Sequence, residues 1–155
     1  MFHRSRRPNW RRFGGVKPPP LFRDRPRVVQ IFLGLIAPLA FGALCGYLLG
    51  ASQPWFNGLM LLAGIGGIGA GFEHLGARDG ARRGIVGGVL FAAALFTCFS
   101  LRARPAVVPL PLALPGMVVV YAVMGAPLGA LGGRLRQRAE ERRAASAPAS
   151  PPGAT

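Results

Sequence analysis

The sequence predicts an all-α membrane protein, a small polytopic bundle of four transmembrane helices with a disordered basic N-terminal tail and a short basic C-terminal tail. Three observations carry this. Apolar residues make up 51% of the chain and charged residues only 15%. The charges gather in four clusters and leave charge-free stretches between them. The glycines recur in steps of four residues.

A soluble domain carries about 25% charged residues, so these 155 residues lack the polar cover of one. The apolar half excludes a disordered chain. The 23 glycines and 15 prolines do not follow the every-third-residue period of collagen. Lys and Arg number 19 against five acids, a net charge of +14.

The charge-free stretches are 28–72, 84–101 and 105–133. A spanning helix needs about 20 mostly apolar residues. The first stretch is twice that length and is broken at the polar, turn-prone residues 50–54, giving helices at 28–49 and 55–72. Its apolar core is too long for a signal peptide, whose core spans about 7–15 residues. A third helix is expected at 84–101. Pro105, Pro109, Pro111 and Pro115 cannot share one helix interior, so 105–114 reads as an extended or re-entrant lead-in to a fourth helix at 116–133. Residues 1–27 and 134–155 are the tails, the latter a short basic helix over 134–143 followed by an Ala/Ser/Pro-rich end.

Cytoplasmic flanks carry an excess of Lys and Arg. With four spans and the N-terminus inside, 17 cations lie on the cytoplasmic side and only Arg102 and Arg104 outside. The expected location is therefore the plasma membrane, with both termini cytoplasmic. Tyr47, Trp55 and Tyr121 fall toward the outer helix ends, where an aromatic belt is expected.

Glycine spacing is the most specific pattern. Helix one has Gly42, Gly46 and Gly50; helix two has Gly67 and Gly71, preceded by Ala63. Gly76, Gly80, Gly84 and Gly88 run from the second loop into helix three, with Ala92 continuing the step. Helix four has Gly125, Gly129 and Gly133. Four residues turn a helix by about 400°, so each series holds one face. In lipid, small residues let backbones approach and pack. The spacing fits a tightly packed bundle, a homo-oligomer or both.

Glu73 and His74 follow helix two and have two readings: a cation- or proton-handling gate at the inner mouth, or a solvated pair capping the helix beside Arg78. Gly76 is expected to end helix two as a left-handed cap, with helix three starting near Asp79 and Asp79 facing Arg83 one turn on. Arg78, Arg82 and Arg83 then sit at headgroup level, where anionic lipid phosphates attract them. Cys45 and Cys98 read as buried free thiols. Gln30, Asn57, Thr97 and Ser100 make no polar track across the spans, and no span carries a central charged residue. The string Gly64-Ile65-Gly66-Gly67-Ile68-Gly69 spells a dinucleotide motif but lies in an apolar helix without a preceding strand.

No nucleophile, phosphate-loop or metal-ligand pattern appears, so neither an enzyme nor a bound cofactor or metal is expected. The basic tail is tethered beside the bilayer, which makes anionic lipid headgroups a better-placed partner than nucleic acid. The leading expectation is a non-enzymatic protein that self-associates or serves as an accessory subunit through its glycine faces. A small dimeric channel or exporter using Glu73 and His74 is the first alternative, and a lysis-type pore former the second.

Overall fold

A computed structural model describes residues 20–102, 104–109 and 113–146. The expected disorder of 1–19 and 147–155 lies outside the described residues. A 3-10 turn at Phe22–Asp24 leads into four long helices: α1 (Arg27–Leu49), α2 (Gln53–Phe72), α3 (Ala77–Leu101) and α4 (Leu114–Ser146). All four are long and apolar enough to cross a membrane, and no strand occurs among the described residues.

Two helices extend beyond their charge-free stretches. α3 begins at Ala77, seven residues before its charge-free stretch and close to the start expected near Asp79, because the connection from α2 needs only residues 73–76. Gly76 makes that turn at φ +87°, a conformation side chains disfavour. It starts α3, whereas α2 is capped by Glu73, so the left-handed glycine opens the third helix instead of closing the second. Asp79 lies in the first turn, where negative charge is favoured. α4 absorbs the basic segment and continues to Ser146. Ala, Arg, Gln and Glu are strong helix formers, and two i,i+4 contacts brace this stretch: Arg136 Nε–H donates to Glu140 at 2.7 Å and Gln137 to Glu141 at 3.0 Å.

Ordered structure also reaches further toward the N-terminus than the expected tail boundary at 27. Residues 20–26 have defined positions because Phe22 and Arg25 find partners at the loop after α2.

α3 is the hub of the bundle. It packs most extensively against α4, next against α1, while α4 also holds α2. The α3–α4 seam is antiparallel and made of backbone. A Cβ at Gly80 would strike the carbonyl of Gly129, one at Gly84 that of Gly125, and one at Gly88 that of Tyr121; a Cβ at Gly133 would strike the carbonyl of Gly76. Each step of four along α3 is matched by a step of four back along α4. Gly76 N–H donates to Gly133 at 3.3 Å, closing the seam at its end. The α1–α3 seam is parallel: Gly42 faces the carbonyl of Phe91, Gly46 that of Leu95, and Gly50 the ring of Phe99. α2 is seated on α4 through Gly71 against Gly129, Gly132 against Ile68, and Gly67 against Leu128.

These contacts divide the bundle into two zones. Toward the basic end, which holds Arg25, the 73–76 turn and the α4 extension, α3 and α4 meet glycine to glycine. Toward the far end, side chains fill the space: Cys45, Leu49, Phe56, Phe91, Leu95, Phe96 and Met117 form the buried core. Tyr121 packs, half-buried, against this core. Its ring lies 5.7 Å from that of Phe91 and 6.1 Å from that of Phe96, and its hydroxyl donates to Met60 Sδ at 3.9 Å. Tyr47 and Trp55 remain exposed. Residues 104–109 cross the far end without helix. Val107 N–H donates to the Leu49 carbonyl at 2.9 Å, and Ala106 and Val108 pack on the core.

Gly84→Leu is expected to destabilise the bundle by more than the about 1–3 kcal/mol typical of overpacking, since backbone must move to admit the side chain. Gly64→Ala, at a position with nothing within 4 Å, should be neutral or stabilising by up to about 1 kcal/mol. Thermal unfolding of the detergent-solubilised variants measures both.

Candidate functional site

The polar groups of the chain converge at the basic end, and a proline in α1 explains how. Pro38 has no N–H to give the turn before it. α1 responds with a π-helical turn over Phe32–Ile36, in which Ala37 N–H reaches back to the Phe32 carbonyl. In the same register the Leu33 carbonyl would take its hydrogen bond from residue 38. Pro38 cannot supply one, and a carbonyl left bare away from water costs free energy. Arg83 on α3 supplies the donor: its guanidinium binds the Leu33 oxygen at 2.6 Å. A charge-assisted bond of this kind is stronger than one between neutral groups.

The segment before α1 folds over this contact. Phe22 lies beneath Arg83, whose guanidinium carbon is 5.9 Å from the ring centre, and stacks on His74 with 5.4 Å between centroids and 23° between planes. Phe22 N–H donates to the Glu73 carbonyl at 3.0 Å. The Glu73 carboxylate pairs with Arg25 at 2.7 Å, the two side chains 17% and 22% exposed. Gln30 ties the strap to α1 by donating to the carbonyls of Arg25 at 2.8 Å and Arg23 at 3.2 Å. His74 Nδ1–H donates to the Ala70 carbonyl at 3.2 Å, a bond that caps α2.

Glu73 and His74 thus sit side by side, as their sequence positions require, but each is committed to the strap: Glu73 to Arg25 rather than Arg78, His74 to Phe22. Arg78 and Arg82 are exposed, while Arg83 turns inward. Asp79, expected opposite Arg83, lines the same cleft, as do Arg82, Arg83 and His74. The cleft measures about 420 Å³ and has Gly34, Phe22 and Val86 as its apolar walls. On α4, Arg136 is only 4% exposed and lies over the Phe72 ring of α2 at 5.6 Å. At the far end Arg102 donates to the Tyr47 carbonyl at 2.9 Å and stacks 3.7 Å from that ring.

All the glycines singled out by spacing lie at or near helix contacts within the chain. Gly132 was missed; its signal is the doublet Gly132-Gly133, which points two small residues about 100° apart at α2 and α3. Phe22, Arg25 and the Pro38–Arg83 relation were also missed. Pro38 in an otherwise helical stretch was the available clue. Among the described residues no three His, Cys, Asp or Glu gather as a metal site, and Cys45 and Cys98 are free.

Comparison with protein-family models, with curated proteins and with solved structures finds no match to this chain.

Arg83→Leu is expected to cost about 1.5–3 kcal/mol, the scale of a lost charged hydrogen bond. Pro38→Ala returns an amide to α1, so the double variant should lose less than the sum of the single losses. A double-mutant cycle on unfolding free energy reads the coupling, expected at about 0.5 kcal/mol or more. Glu73→Gln should loosen the strap and raise tryptic cleavage after Arg23 without lowering the helix content seen by circular dichroism.

Proposed function

We propose that this is a non-enzymatic multi-pass protein of the plasma membrane, both termini cytoplasmic, that acts by helix association with another copy or as the accessory subunit of a membrane partner. The observation that carries the reading is the division of glycines on α2. Gly67 and Gly71 meet α4, whereas Gly58, Gly64, Gly66 and Gly69 have nothing within 4 Å. They are interspersed with the exposed side chains Leu61, Leu62 and Ile65. Glycine in a helix interior costs about 1 kcal/mol relative to alanine and offers lipid little surface. Open glycines on a membrane helix suit a second helix lying against them. The spaced glycines of α1, α3 and α4 are occupied within the chain, so the association face falls to α2.

The orientation rests on 17 of 19 cations lying on one side of a four-span chain. Channel and pore readings draw less support. Glu73 is held by Arg25, His74 is stacked under Phe22, and the α3–α4 seam is closed backbone to backbone.

Chemical crosslinking in native membranes should recover a dimer or a discrete hetero-complex. Gly66→Leu and Gly69→Leu should each lower its yield by about ten-fold, equivalent to the 1–2 kcal/mol scale of interhelical contacts in membranes, while leaving the monomer folded. An unchanged yield in both variants would remove α2 from the proposal. A thiol label on Ser146→Cys should react only after the cytoplasmic side is opened.

A further inference from the structure

We infer that the cleft between α1 and α3 at the basic end binds one anionic phospholipid, its phosphate on Arg82 and Arg83 and an acyl chain laid along Val86. This rests on the bilayer setting proposed above and is independent of the association face on α2.

The cleft joins two kinds of surface. Its mouth holds Arg82, exposed, and Arg83, half-buried and anchored through one nitrogen to the Leu33 carbonyl. A guanidinium has five N–H donors, so that anchor leaves donors for an anion and fixes the group in place before the ligand arrives. Asp79 also lies at the mouth; Arg82 and Arg83 together outweigh its charge, and its carboxylate can accept from the hydroxyls of a glycerol headgroup. The walls are apolar: Phe22, Gly34 and Val86. A soluble phosphate gains nothing from such walls, whereas a lipid does.

A second, apolar groove of about 590 Å³ lies farther along the α1–α3 seam toward the far end, with Ala40, Ala43, Ala93, Ala94 and Thr97 between Leu39 and Leu101. Residues 79, 83 and 86, then 93, 97 and 101, follow helical steps, so both clefts open on one face of α3. From Arg83 to Ala93 is about 15 Å at 1.5 Å per residue, half the roughly 30 Å hydrocarbon core. That is the depth one leaflet's acyl chain covers. Small side chains there leave room for it.

The test uses the full-length chain in non-ionic detergent, with native mass spectrometry in equimolar phosphatidylglycerol and phosphatidylcholine. One phosphatidylglycerol should be retained in preference. Arg82→Gln should reduce that preference about five-fold, corresponding to about 1 kcal/mol for one charge near the headgroups. Arg78→Gln, outside the cleft, should leave it unchanged. Ala93→Phe should weaken retention of long-chain but not of six-carbon phosphatidylglycerol. Equal losses from Arg78→Gln and Arg82→Gln would mean a diffuse basic surface and overturn the site. Displacement by glycerol 3-phosphate would overturn the lipid in favour of a soluble phosphate. Gly66→Leu should keep the lipid even where it abolishes association.

Discussion

Where Gly80, Gly84 and Gly88 meet Gly129, Gly125 and Tyr121, two antiparallel helices touch with no side chain between them. Any Cβ on these glycines would occupy the space of a carbonyl on the other helix. The register of α3 against α4 is therefore fixed in whole turns. α1 and α2 then attach to the outer sides of this pair, each again through glycines, and neither makes extensive contact with the other. Without water to drive apolar association inside a bilayer, such close dispersion contact is what can hold a bundle together.

The division between the two ends follows from the same seam. Glycines draw α3 and α4 together at the basic end, leaving no room for side chains between that pair. Phe91, Phe96, Met117 and Tyr121 fill the far end instead. Polar groups at the basic end are thus pushed to the periphery, where the strap at residues 20–26, the 73–76 turn and the first turns of α3 meet. Arg25, Glu73, His74 and Arg83 form their contacts on that rim.

Charge exclusion and glycine periodicity were enough to locate four helices in the sequence, because both reflect the solvent and the packing of each helix taken alone. Helix ends were less legible from charge alone. The charged residues 77–83 and 134–146 are helical, as the glycine step around Asp79 and the basic run 134–143 suggest, and the latter helix is continuous with α4. The partners of the glycines were not legible at all: a step of four names a face but not its neighbour. Glu73 and His74 could be singled out as chemistry-bearing, yet their roles depended on Phe22 and Arg25, which are some fifty residues away in sequence and lie in a stretch whose composition reads as disorder. Tyr121 reads in the sequence only as an aromatic toward a helix end; its packing against Phe91 and Phe96 needed the neighbouring helix to be seen.

The pairing of Pro38 with Arg83 bears on how the seams of the bundle differ. α1 carries a carbonyl that its own backbone does not satisfy, and α3, fifty residues on, carries a guanidinium near its start. Each is an incomplete half until the other docks. The docking of α3 on α1 thus relieves two local costs in one step, and that parallel pair is held by a charged bond that the glycine seam between α3 and α4 does not contain.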